Sequence, residues 1–202
     1  MVGSLGQSQM AAIAGGLYCY HLPLAFGSGL LISVNTLGSQ NFGQCSFLEC
    51  RRVCIQGFYI AGTVGLLFLV FAPMAPWLFR ALGHPSEVQR AESQYLQLML
   101  FALAPHFIAV AANNFFFAIS RPKVAMIVSL SALLTNALLN YVFIFGHFGI
   151  PPLGIAGAAV ASIVVAILQA AALGILVLRS AKSHARRRLR LWFFRPCFRR
   201  IR

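Results

Sequence analysis

Polar side chains recur at seven-residue intervals inside otherwise apolar sequence, and these are the places where the chain could do chemistry. Ser129, Asn136 and Asn140 are spaced 7 and 4; Ser162 and Gln169, His21, Ser28 and Asn35, Gln56 and Thr63, and His106 and Asn113 keep the interval of seven. At 3.6 residues per turn each set forms one stripe on a helix. An amide or hydroxyl facing lipid has no water to bond, so such stripes face other helices or a wet cavity. They either bond one helix to another or line a path for an ion or polar solute. Catalysis has nothing to work with: no HExxH, no G-x-S-x-G and no pair of intramembrane carboxylates occurs, so no enzyme is expected.

The elements that must position these stripes are long apolar runs. Residues 124–178 contain no Asp, Glu, Lys or Arg, too long for one crossing of about 20 residues. Gly146-His147-Phe148-Gly149-Ile150-Pro151-Pro152-Leu153-Gly154 breaks the run, because Gly and Pro continue a helix poorly. Two antiparallel spans, 124–145 and 155–178, result. Three more precede them. The first, about 10–34, holds Pro23 and a flexible Gly27-Ser28-Gly29; the second, about 53–79, is kinked or ended by Pro73 and Pro76; the third, about 93–120, is bent at Pro105. Residues 36–52 and 80–92 are expected to be connections, the former with a short amphipathic piece, and 120–123 a tight basic turn. Gly157, Ala158, Ala161, Ser162 and Ala166 give the fifth helix small-residue faces for close packing.

Composition agrees. A chain of 202 residues that is 59% hydrophobic and 9% charged cannot cover itself with a water-facing surface. Its net charge of +13 sits mostly in the end segment 179–202, which mixes ten basic residues with Trp192, Phe193, Phe194 and Phe198. That composition suits an anionic membrane surface or a linker, not nucleic acid. Residues 36–52, 120–123 and the tail share one side of a five-span arrangement and carry fourteen Lys and Arg, against Arg80 and Arg90 on the other. The positive-inside rule then puts the tail in the cytoplasm and the amino terminus outside. There is no Asp, and Glu49, Glu87 and Glu92 all fall in expected connections, leaving no carboxylate inside the membrane. Cys19, Cys45, Cys50, Cys54 and Cys197 lack metal-ligand spacing and are expected to be free thiols. No metal site, cofactor or signal peptide is expected.

Four segments, in order, resemble the multidrug and toxin extrusion (MATE) family of efflux carriers: Thr36-Leu37-Gly38-Ser39-Gln40-Asn41-Phe42-Gly43; the turn Arg121-Pro122-Lys123; Asn136 to Gly146; and Leu153-Gly154-Ile155-Ala156-Gly157 to Ser162. The resemblance implies an all-α membrane fold whose five spans match the second to sixth helices of a six-helix lobe, with residues 180–202 starting the interlobe loop. It implies a secondary antiporter of the bacterial inner membrane that exports organic cations against sodium or protons. Ser39, Gln40, Gly43, Pro122, Lys123, Gly154 and Gly157 would be family-motif positions. Asn136, Asn140 and Ser162 would supply oxygens for a hard cation, though without negative charge; Asn113 and His106 would border the same path. Many members carry Asp where Asn140 stands, and an Asp-bearing first helix and a whole second lobe have no counterpart here. The chain is therefore expected to be part of a carrier, inactive without that second lobe or another copy; a dimerising half-transporter and a lipid-linked oligosaccharide flippase are the alternatives.

Overall fold

The computed structural model describes residues 7–83, 86–146 and 154–191. Among them every regular element is helical: α1 (Gln7–Gly43), α2 (Phe47–Val70), a short 3-10 turn (Ala72–Met74), α3 (Ala75–Ala81), α4 (Ser86–Phe101), α5 (Leu103–Ala118), α6 (Pro122–Phe145) and α7 (Gly154–Leu191). Prolines set several boundaries, since each removes a backbone donor. α2 stops at Val70 just before Pro73, and Pro76 opens α3 in its first turn. Pro122 opens α6, which closes on Gly146 at φ 75°, ψ 50°, a left-handed cap that aims its N–H at Val142 O, 3.0 Å away. α4 and α5 meet at Ala102 with a bend of 44°. Pro105 offers no N–H to the Phe101 carbonyl, so the ladder breaks there.

Close packing shows how the helices run. α1 buries Gly16, Tyr20, Pro23, Gly27, Leu31, Val34 and Gly38 in steps of three and four. A side chain on Gly16 would meet Tyr95, one on Gly27 would land in the ring of Phe107, and one on Gly38 would meet Ala118. The partners ascend with the glycines, so α1 lies parallel to α4 and α5 taken together, and that bent pair is one span. The 22 steps from Gly16 to Gly38 cover about 33 Å, close to the roughly 30 Å hydrocarbon core of a bilayer. α2 runs the other way: Gly57 abuts Val34 and Ala111, and Gly65 abuts the backbone of Ala104. With α6 and α7, each long and apolar, the described residues hold helices for up to five crossings, and the chain is a multi-pass membrane protein.

α5 is the central helix. Leu103, Phe107, Ala109, Ala111, Ala112, Phe115, Phe116 and Ala118 bury it on nearly every face. α6 is peripheral, with only Ala125 and Ile144 buried among its apolar side chains, while Leu130, Leu133, Leu134 and Leu138 are exposed.

Several expectations from the sequence are corrected. Residues 36–43 are not a connection but the last two turns of α1, because Gly38 is needed for helix contact. Residues 86–92 are helical, and Glu92, at 1% exposure, is buried on α4 rather than lying in a loop. Gly27 is no point of flexibility; it is the notch for Phe107 inside an unbroken helix. Gln56 and Thr63 are exposed, because Gly57, Ala61 and Gly65 take the buried face of α2. Cys19, Cys50 and Cys54 are free thiols, whereas Cys45 is held in a disulfide. α7 continues as a helix through the first part of the basic segment to Leu191. The turn residues 147–153 and the segment 192–202 lie outside the described residues.

Candidate cation and substrate path

The peripheral helix α6 and its partner α7, which is itself packed into the bundle through Ala159, Ala161, Leu173 and Val177, carry the densest polar chemistry. The two helices are antiparallel and fixed at two levels. Near the end of α6 a side chain on Gly157 would sit 2.6 Å from Phe143 O, so only glycine admits this approach. About three to four turns away, Gln169 Nε2 donates to Ser129 Oγ across the pair at 3.2 Å. Between these levels lie Asn136, Asn140 and Ser162.

Asn140 Nδ2 donates to Asn136 Oδ1 at 2.8 Å, one turn apart on α6. That bond fixes both amides and uses the Asn136 oxygen. Asn140 Oδ1 is left buried with no partner, a costly state for a strong acceptor away from water. The arrangement is a held neutral oxygen that can accept from a donor or ligate a hard cation. Ser162 Oγ bonds back to Ala158 O on its own helix at 3.0 Å, and no hydrogen bond joins it to the amides.

α5 supplies a second unpartnered oxygen. Asn113 Oδ1 is buried without a hydrogen bond, and the half-buried His106 ring lies edge-on to Phe107 at 6.5 Å between centroids. Neither bonds to the α6 amides. Asn114, which the stripe spacing passed over, ties α5 to α1 through Nδ2 donating to Leu31 O at 3.0 Å. His21 bonds to Leu17 O within its own exposed stretch of α1.

The MatE family model matches residues 1–142. The chain belongs to the MATE family. The probable multidrug resistance protein NorM of Rhizobium meliloti (strain 1021) is 36% identical over 196 residues, covering 97% of this chain and 42% of the relative. A protein of the same name from Mesorhizobium japonicum is 29% identical over 194 residues, covering 95% and 41%. Among solved structures, a MATE transporter in the bent conformation superposes with a TM-score of 0.77 at 18% identity, over 85% of this chain and 38% of that one. An inward-facing multidrug resistance MATE transporter of the MOP superfamily gives 0.76 at 19% identity, over 86% and 39%. The curated relatives are described as probable multidrug resistance proteins and the inward-facing structure as a transporter. The chain spans about 42% of the length of the first of its curated relatives.

The positions expected from the sequence to be family motifs divide by environment. Ser39 and Gln40 are exposed on the last turns of α1, Ser39 Oγ donating to Asn35 Oδ1 at 3.2 Å, and Gly43 ends the helix. Pro122 and Lys123 are exposed at the start of α6. Gly154 opens α7 at φ 55° and Gly157 is buried against Phe143. Gly38, inside the first motif, is the member that makes the helix contact. Its spacing of eleven from Gly27 and from there to Gly16 was the signal available in the sequence.

Proposed function

We propose that this chain supplies five helices of one lobe of a secondary antiporter that exports organic cations in exchange for sodium or protons across a bacterial inner membrane. The observation that carries this reading is the buried, unpartnered Asn140 Oδ1, held by its bond to Asn136. An amide oxygen polarises toward a cation and does not titrate, so it suits sodium directly. Proton coupling would need a group that gains and loses a proton, and His21, His106 and the buried Glu92 are among those these helices provide. The excess of Lys and Arg at the end of the bundle holding 44–46 and 119–121 supports a cytoplasmic placement of that end and of the basic tail, with the amino terminus outside. The names of the curated relatives support drug-like organic cations as cargo.

The test is a chimera in which residues 1–202 replace the matching segment of the Rhizobium meliloti relative, assayed for ion-driven ethidium efflux in membrane vesicles. Asn136→Leu should remove the ion dependence while Leu139→Ala keeps it; equal losses would refute the assignment. The 202-residue chain alone should show no ion-driven efflux, and activity from it as a dimer would establish a half-transporter instead.

A further inference from the structure

At the end of the bundle where α1 stops and α2 starts, Gly38 draws three helices together. Its carbonyl accepts from Cys50 Sγ at 3.3 Å, and a side chain on it would lie 2.8 Å from Ala118 Cβ. Arg51 follows Cys50 and Arg121 comes three residues after Ala118, so two arginines leave the same junction, with Arg52 and Lys123 beside them. Arg52 is answered by Glu49 at 2.6 Å. Arg51 is not: it is half-buried, and its Nε is closed off with no hydrogen-bond partner. A guanidinium donor without an acceptor is unfavourable, and an oxyanion that draws the side chain toward itself relieves it. The planar fork of a guanidinium matches a phosphate.

We propose that Arg51 and Arg121 form a seat for the phosphodiester of an anionic phospholipid headgroup. Two features select a lipid over a free anion. The junction lies at the end of α1's roughly 33 Å buried seam, at the depth where headgroups begin. Apolar side chains are exposed beside it: Leu37, Leu48, Met126 and Ile127 are each at least 46% exposed, next to the cations, where acyl chains would lie. The proposal is independent of what the protein transports.

The experiment is native mass spectrometry of the full chain released from detergent, titrated with phosphatidylglycerol or phosphatidylcholine, with and without inorganic phosphate. Phosphatidylglycerol should bind at least about tenfold more tightly than phosphatidylcholine, and Arg51→Gln should remove most of that preference. Arg52→Gln should leave it nearly unchanged. Circular dichroism checks that each variant folds; if Arg51→Gln does not, Arg121→Gln takes its place with the same expected loss. Equal binding of the two lipids, or an Arg52→Gln loss as large as that of Arg51→Gln, would overturn the proposal. Displacement of phosphatidylglycerol by millimolar inorganic phosphate would overturn the lipid as the ligand.

Discussion

Replacing Gly65 by alanine tests whether α2 and α5 are held as closely as their contact requires. The added carbon would sit 2.5 Å from Ala104 Cα, 2.6 Å from Ala104 Cβ and 2.8 Å from Ala104 N. Carbon atoms rest about 3.5–4.0 Å apart, so the helices must part by about 1 Å. The obstacle is largely backbone and cannot rotate aside. Overpacking of this kind costs about 1–3 kcal/mol. Alanine also gains about 0.8–1.0 kcal/mol over glycine in a helix interior, which blurs the single measurement. Gly62, three residues away on the same helix, has nothing within 4 Å of its would-be side chain. Gly62→Ala therefore collects the helix gain alone, and the difference between the two variants isolates the clash at about 1–3 kcal/mol. The assay is the apparent unfolding transition of the purified chain in detergent, with helix content followed by circular dichroism. Equal transitions for the two variants would refute the close approach of α2 to Ala104.

Gln169→Leu and Ser129→Ala, singly and together, form a double-mutant cycle whose coupling should be about 0.6 kcal/mol and no more than about 1.7 kcal/mol, read from the same transition; zero coupling would remove the α6–α7 bond from the account. Glu49→Gln, which breaks the exposed pair with Arg52, should change stability by no more than about 0.5 kcal/mol and less at high salt; a larger effect in 0.5 M salt would place that pair in a more enclosed setting than its exposure indicates.

The five spans were legible because each is a long charge-free run, and the breaks at Pro73, Pro76 and Pro105 because proline leaves a carbonyl without its donor. The direction in which a face points was harder to read. Gln56 and Thr63 share a stripe as regular as that of Asn136, yet they point outward, since the small face of Gly57, Ala61 and Gly65 lets α5 come closer on the other side. Periodicity identifies a face and leaves its partner open. The same limit hid the end of α1. Thr36-Leu37-Gly38-Ser39-Gln40-Asn41-Phe42-Gly43 has the composition of a turn, but Gly38 serves contact and not chain reversal. Glu92 was misplaced because a carboxylate in a mixed stretch reads as solvated, and nothing local announces that α1 closes over that part of α4 at Gly16. Of the candidate path, the placement of Asn136 and Asn140 on one face followed from their one-turn spacing, while the bond between them came from the structure. That Asn113 makes no bond to it, and that Asn114 is the residue tying two helices, depends on helix rotation that no spacing within one helix fixes.

The notches at Gly16, Gly27 and Gly38 repeat every eleven residues, three turns plus about 20°. Inserting one residue between Gly27 and Gly38 would swing the last notch about 100° around the axis. The steric fit to Ala118, the thiol contact from Cys50 and the orientation of both neighbouring arginines would all go with it. A stretch that could pass for interchangeable lipid-facing sequence is therefore held to a fixed length, and deletions or insertions there should be far more damaging than substitutions at its outward positions.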